Sequence, residues 1–221
     1  MSVAEPTLQM ERALFHEGAA LVIGCDEVGR GAIAGPVAVG LGVFLPDVRR
    51  MPDGLRDSKL LSGQRRERLH PEVLAWASYS AVGLADNAEV DALGIVPALG
   101  LAAVRGLEAL VAAGVPVEAA VLVLDGSHDW LTPALAGWPE SSRPRVITRV
   151  KADRDCASVA AASVLAKVHR DRLMVEADAV HPGYDWPSNK GYASATHYAA
   201  IDRLGVSALH RWSWLRRPAL S

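Results

Sequence analysis

Four acidic side chains stand where short apolar runs give out. Asp26 and Glu27 close ALVIGCD, which begins at Ala20. Asp125 closes AAVLVL, and Asp153 follows RVITRV across Lys151 and Ala152. Carboxylates brought into one confined place repel each other unless a cation neutralises them. A donor set of oxygens without cysteine or histidine favours a hard ion, Mg²⁺ or Mn²⁺, over zinc. Directly after the first two acids comes Gly29-Arg30-Gly31. Glycines let a backbone approach a ligand closely, and an arginine between them brings a guanidinium to a phosphate or its neighbouring sugar. Acids and loop together would grip one phosphodiester from two sides, the acids through an intermediary ion.

Each residue alone has a plainer reading. An aspartate at a strand end is usually a turn former, Asp125-Gly126 is a common turn dipeptide, and Asp153 is well placed to lead into a helix. The adjacent Asp26-Glu27 pair is less easily idle, because it sets like charges together. Other motifs fail on spacing. Gly29-Arg30-Gly31-Ala32-Ile33-Ala34-Gly35 is one residue off the dinucleotide fingerprint, and Gly24 to Gly31 lacks the Lys-Ser or Lys-Thr of a P-loop. No zinc-protease or paired C-x-x-C motif occurs.

The elements that must position these residues can be read from hydrophobic period. Strands are expected at Ala20–Asp26, Val37–Leu45, Ala77–Ala85, Ala119–Leu124 and Arg145–Val150. Ser62 is placed to cap a helix reaching Trp76, kinked or divided at Pro71. Asn87–Ala113 has a helical period, with Asn87 as cap and a break at Gly94 and Pro97. A long helix runs from Asp155 to about Ala179. The stretch from His181 is an ordered loop, and a helix from about Ser194 to Leu204 precedes a tail with Trp212 and Trp214. Three early strands on short connections imply an antiparallel meander. Later strands alternating with helices imply parallel additions, giving one mixed sheet with helices packed on it.

The 221 residues, 50% hydrophobic, suffice for one domain or one domain with an appendage. At a net charge of −2, nucleic-acid binding would need local basic patches. Arg49, Arg50, Arg56, Lys59, Arg65, Arg66 and Arg68 form one such cluster, and Arg203, His210, Arg211, Arg216 and Arg217 another. Two cysteines, Cys25 and Cys156, are too few for a disulfide framework, and no apolar run reaches membrane-span length. A soluble protein of the reducing cytoplasm, probed by no membrane, is the expectation.

Five blocks resemble ribonuclease HII, the bacterial type 2 ribonuclease H. They are Asp26-Glu27-Val28-Gly29-Arg30-Gly31 with Ala34-Gly35-Pro36-Val37, Asp57-Ser58-Lys59, Val123-Leu124-Asp125-Gly126, Lys151-Ala152-Asp153, and the run from Ala161 to Asp171. Lys190-Gly191-Tyr192, Thr196-His197 and His210-Arg211 also fit, in the family's order. Val28 stands where alanine is more usual, and Trp214 where phenylalanine often stands.

The resemblance implies an α/β fold, an RNase H-like mixed five-stranded sheet flanked by helices, with a catalytic domain over residues 18–175 and a C-terminal helical extension over 176–221. It implies an endoribonuclease that hydrolyses the RNA strand of RNA–DNA hybrids and cuts 5′ of single ribonucleotides in duplex DNA. Two Mn²⁺ or Mg²⁺ ions would act in an in-line displacement that leaves a 3′-hydroxyl and a 5′-phosphate. Asp26, Glu27, Asp125 and Asp153 map onto the metal ligands. Gly29, Arg30 and Gly31 map onto the motif that contacts the 2′-OH, and Tyr192 onto the tyrosine that stacks at the RNA–DNA junction. Lys59, Ser163 and Lys167 are expected as further substrate contacts, with Ser163, Lys167 and Arg170 alternatively bracing the acids. A monomer is expected. The rival readings are another metal-dependent nuclease of the same sheet type acting on DNA, and a nucleic-acid-binding module without catalysis.

Overall fold

A computed structural model describes residues 5–215. Five strands form one sheet: β1 (Leu21–Val28), β2 (Val37–Phe44), β3 (Tyr79–Ala85), β4 (Ala120–Asp125) and β5 (Arg145–Arg149). Their spatial order is β3-β2-β1-β4-β5. β1, β2 and β3 pair antiparallel, and β4 and β5 join in parallel. The expected mixed sheet is therefore present. The helices are α1 (Gln9–His16), α2 (Gly63–Trp76), α3 (Asn87–Leu93), α4 (Ile95–Ala112), α5 (Leu131–Ala134), α6 (Ala152–Asp155), α7 (Ala157–Val180), α8 (Trp186–Asn189) and α9 (Ala195–Leu204).

Alternation along the central strands sorts side chains to two faces. Ile23, Cys25, Val39, Leu41, Leu122 and Leu124 point into a core shared with Leu99, Ala103 and Leu107 of α4. Val22, Val121 and Val123 face the other way, onto Val159 of α7. There α7 lies almost against the strand backbone. A Cβ on Gly24 would fall 2.2 Å from the Ser158 carbonyl, and one on Gly40 would fall 2.2 Å from the Ala162 carbonyl. Small residues on both surfaces permit this approach, which brings the buried helix over the sheet's centre.

Several local expectations change. β1 continues through Val28, so the acidic pair lies within its last turn of pairing, with Asp26 opposite Gly40 and Glu27 opposite Val39 of β2. α2 stays continuous through Pro71, because that residue is on the exposed face, where water can serve the lost bond. Its Ser62 cap accepts from Arg65 N–H as expected. Asp86, not Asn87, caps α3, in a capping box with Glu89. Asn87 instead reaches the Ala208 and His210 carbonyls. The long helix begins at Ala157, after α6 and a break at Cys156. Helix α1, with its buried Leu14, was not expected from the sequence.

The chain after α7 returns to the sheet's loop end. Ile33 and Ala34 N–H both donate to the Gly191 carbonyl, Gly35 N–H donates to Leu209, and Arg211 N–H donates to Ile33. The loop after β1 is thus paired along its length with residues from the C-terminal part. Arg216 and Arg217 lie outside the described residues.

Candidate active site

β1 and β4 run in parallel with Cys25 beside Leu124. The next residues along are Asp26 and Asp125, at the C-terminal ends of their strands. Parity directs both away from the α4 core and toward α7. Two carboxylates 99 positions apart along the chain thereby become neighbours in one sheet, at the strand ends where α/β folds bind ligands.

Asp153, in α6, joins them: its N–H donates to Asp125 Oδ1 at 3.3 Å. Lys151 takes a left-handed conformation just before α6 (φ 62°), which turns the chain from β5 back toward β4. Glu27 lies at the edge, 3.6 Å from the Arg30 guanidinium. Into this group comes Lys59, whose Nζ is 3.2 Å from Asp153 Oδ2. The buried Asp57 presents it, capping the turn Ser58–Leu60 by accepting from Lys59 N–H at 2.9 Å.

The electrostatics are those of a site short of positive charge. Burial, then the Glu27 charge, pushes the Asp26 carboxyl well above its ordinary range. Burial also raises Glu27, against the pull of Arg30, and raises Asp125, with Asp153 adding to the effect. Burial pulls the Lys59 ammonium down, but Asp26, Asp57 and Asp153 together hold it above its usual value. Among the described residues, no three carboxylate, imidazole or thiol groups converge closely enough to hold an ion as they stand. Instead the acids take substitute partners: Asp153 has Lys59, Glu27 has Arg30, and Asp26 accepts from Glu27 N–H at 2.9 Å. The donor set is all oxygen, and every raised carboxyl would be relieved by a cation, so the residues fit a hard divalent ion.

The glycine loop stands beside the acids. Gly29 has φ 83°, and a Cβ there would meet Arg170 Nε at 2.1 Å, so the fold itself requires this glycine. Gly31 has neither constraint: its φ is not positive, and nothing lies within 4 Å of a Cβ placed there. Arg30 projects outward with its side chain 52% exposed. Tyr192 closes the loop's other side, its hydroxyl accepting from Gly29 N–H at 3.1 Å. Beneath the loop lie two fully buried guanidiniums. Arg170 donates to the carbonyls of Ala34, Pro36 and Lys190, and Arg211 to those of Gly35 and Arg30. Burial, then the nearby Arg170 charge, lowers Arg211 to about 10.

Tyr192 is held in turn by two buried histidines. Its carbonyl accepts from His197 Nδ1 at 2.9 Å, so that nitrogen carries the proton. His197 Nε2 then accepts from Trp186 Nε1 at 3.1 Å and from His210 Nε2 at 3.1 Å. His210 Nδ1 accepts from Ser207 N–H at 3.0 Å, which leaves its proton on Nε2. One assignment of tautomers satisfies every contact, and it leaves both rings neutral.

The remaining expected residues divide. Lys59 reaches the acids with its side chain 63% exposed. Ser163 is buried and lies under the site: its hydroxyl bonds Ser58 at 2.8 Å and eases the Asp26 charge. Lys167 also sits inside, bound to Asp171 and 5.6 Å from the centre of the Tyr192 ring. Arg170 is too buried to meet a phosphate and braces the loop instead. Asp171, whose part was open, gathers Lys167 and Arg66. Residue spacing carried no signal for the Arg211, His197 and His210 roles. Their presence in the family-like blocks marked them, and His210 and Arg211, expected in a basic patch, are instead fully buried.

Comparison with known proteins places this arrangement among relatives. Residues 23–217 match the family Ribonuclease HII. The ribonuclease HII of Streptomyces griseus is 46% identical over 224 residues, covering 100% of this chain and 88% of the relative. That of Thermus thermophilus is 44% identical over 199 residues, covering 90% of this chain and 88% of the relative. Among solved structures, the PCNA:RNase HII complex from Archaeoglobus fulgidus matches with a TM-score of 0.70 and 25% identity, covering 90% of this chain and 98% of that one. Bst-RNase HIII in complex with Mn²⁺ matches with a TM-score of 0.69 and 26% identity, covering 87% of this chain and 65% of that one.

Proposed function

The chain belongs to the ribonuclease HII family and is a ribonuclease H, and we propose that it cuts RNA strands paired to DNA, including 5′ of a single ribonucleotide in duplex DNA. Divalent-metal dependence is a property of the family. Asp26, Glu27, Asp125 and Asp153 would hold the metal, two Mn²⁺ or Mg²⁺ ions. Bound there, such ions supply Lewis acidity for water activation and for the leaving oxygen.

The protein's own groups do the rest. The 2′-OH alone distinguishes a ribonucleotide from its neighbours in the strand. The backbone at Gly29, Arg30 and Gly31 reads it, and the open space over Gly31 leaves room for the sugar to approach. The exposed Arg30 guanidinium takes an adjacent phosphate. Tyr192 offers its ring to the next sugar, fixed in place by Gly29, Lys167 and Arg170. Lys59, on a side chain exposed enough to leave Asp153, would be free to meet a backbone phosphate. Arg65 and Arg68, exposed on α2, extend the basic surface, while Arg66 is held by Asp171. Residues 18–175 act as the catalytic domain and residues 176–221 as its extension, of which Gly191, Leu209 and Arg211 pair with the substrate loop. The chain works as a cytoplasmic monomer.

The single observation that carries this reading is the β1–β4 register, which sets Asp26 beside Asp125 next to a loop cleared for a sugar. Incubation with a duplex containing one ribonucleotide, with and without Mn²⁺ or Mg²⁺, tests it. Metal-dependent cleavage on the 5′ side is expected, with an all-DNA duplex left intact. Cutting of the all-DNA duplex would favour the DNA-nuclease alternative, and binding without cutting the inactive-module alternative.

A further inference from the structure

Helix α7 begins without a side-chain cap of its own, since Cys156 at its N-cap position makes no such bond. The donors of its first turn are met from elsewhere in the chain. Glu11, on α1, is fully buried, and its Oε1 accepts from Ser158 N–H at 2.8 Å. Thr7, just before α1, accepts from Ala157 N–H at 3.0 Å and donates its own N–H to the Asp155 carbonyl at 3.0 Å. The segment from Thr7 to Glu11 therefore clasps the joint between α6 and α7 from both sides. That joint ends the four-residue helix that carries Asp153, whose N–H contacts Asp125. The family match begins at residue 23, so the Thr7–Glu11 segment lies outside it.

A buried carboxylate is retained only where something compensates it, and here the N–H groups at a helix start do so. Among the described residues, Glu11 Oε2 has no hydrogen-bond partner, and neither has the buried Ser158 hydroxyl on the residue it caps. The clasp adds to the other ties on α6: the Asp153 N–H to Asp125, the Asp153–Lys59, Arg154–Asp57 and Arg149–Asp155 pairs, and the buried Ala152.

We propose that Glu11 is a positioning residue for the metal-binding acids: by capping α7 from α1, together with Thr7, it fixes the α6–α7 joint and so holds Asp153 in register with Asp125. The inference rests on the assignment of these acids as metal ligands. Glu11→Ala removes the cap, Glu11→Gln keeps an acceptor for Ser158, and Thr7→Pro removes the donor to Asp155 while leaving Glu11 in place.

Calorimetric titration of the full chain with Mn²⁺, in the absence of nucleic acid, reads the effect directly, with folding checked by circular dichroism. Glu11→Ala is expected to weaken Mn²⁺ binding about tenfold, with Glu11→Gln recovering most of the loss and Thr7→Pro showing a smaller one. Thr7→Pro also serves if Glu11→Ala does not fold. Asp125→Asn is the control for the site itself and should bind Mn²⁺ far more weakly than the wild type. Loss of binding in Asp125→Asn, with wild-type affinity in folded Glu11→Ala and Thr7→Pro, would overturn the clasp and leave the metal site standing. Wild-type affinity in Asp125→Asn would overturn both.

Discussion

The Lys59 ammonium stands 3.2 Å from Asp153 Oδ2, inside the group of carboxylates that a divalent ion would otherwise neutralise. It is a tethered cation, on a side chain exposed enough to swing away. Lys59→Met should therefore lower the melting temperature of the metal-free protein only slightly, because a partly exposed pair contributes about 1 kcal/mol or less. Mn²⁺ should bind the variant at least as tightly as the wild type, while the KM for a hybrid duplex rises. Weaker Mn²⁺ binding by Lys59→Met would show that the lysine supports the ion rather than standing in for it.

Asp125→Asn should nearly abolish cleavage and yet stabilise the metal-free fold. Burial, then the Asp153 charge, raises the Asp125 carboxyl above its unfolded value. In the window between the two values the folded chain binds more protons than the unfolded one. Stability is thus lost as pH rises through that window, and at pH 7 the ionised group is a net burden. The amide removes that burden. Thermal unfolding in EDTA at pH 7 should give a higher midpoint for the variant, and added Mn²⁺ should raise the wild type far more than the variant. Wild-type turnover by a folded Asp125→Asn would refute the metal role.

The two glycines of the loop should separate fold from function. Gly29→Ala meets a positive φ and the Arg170 side chain, so it should cost about 1 kcal/mol or more. Gly31→Ala meets nothing, and its stability should stay within about 0.5 kcal/mol of the wild type. Its cleavage of a single embedded ribonucleotide should nonetheless fall about tenfold or more, through a methyl group set in the sugar's path. Paired urea denaturation and cleavage assays read both quantities. Normal cleavage by Gly31→Ala would mean that the space above this residue is not used.

The paired histidines predict acid sensitivity. Burial, then the His197 charge, lowers His210 to about 4, and burial lowers His197 as well. The unfolded value is about 6.5, so stability is fully present above it and is lost as pH falls from there toward the folded value. Between pH 7 and pH 5, His210 alone should withdraw about 2 kcal/mol. The groups facing the ring are the Ser207 N–H at Nδ1 and, at Nε2, the other ring, itself bonded by Trp186 and Tyr192. Urea titrations of the wild type and His210→Gln at the two pH values isolate this share from that of the carboxylates. Equal pH dependence in both proteins would contradict it.

Much of this was legible in the chain. Strand positions, the antiparallel-then-parallel order and the four acids at strand ends follow from hydrophobic period and from where apolar runs stop. Capping of α2 by Ser62 and the break at Gly94 were visible for the same local reasons. What stayed hidden depends on contacts remote in sequence. Hydrophobic period alone does not set Asp26 beside Asp125, since pairing of β1 with β4 is decided by the whole sheet. Ser163 and Lys167 carry groups suited to phosphate, yet α7 turns them inward, because the helix is buried along most of its first half. Helix α1 is short, with only Glu11 and Leu14 buried, so its periodic signal was too weak to place it.

Anomalous diffraction from a crystal soaked in Mn²⁺ addresses the four-carboxylate site most directly. The expected result is a manganese peak bounded by Asp26 and Asp125, with Glu27 or Asp153 turned in from its present partner and Lys59 Nζ moved away from Asp153. Manganese bound elsewhere on an active enzyme, with the four carboxylates still paired as they are now, would contradict it.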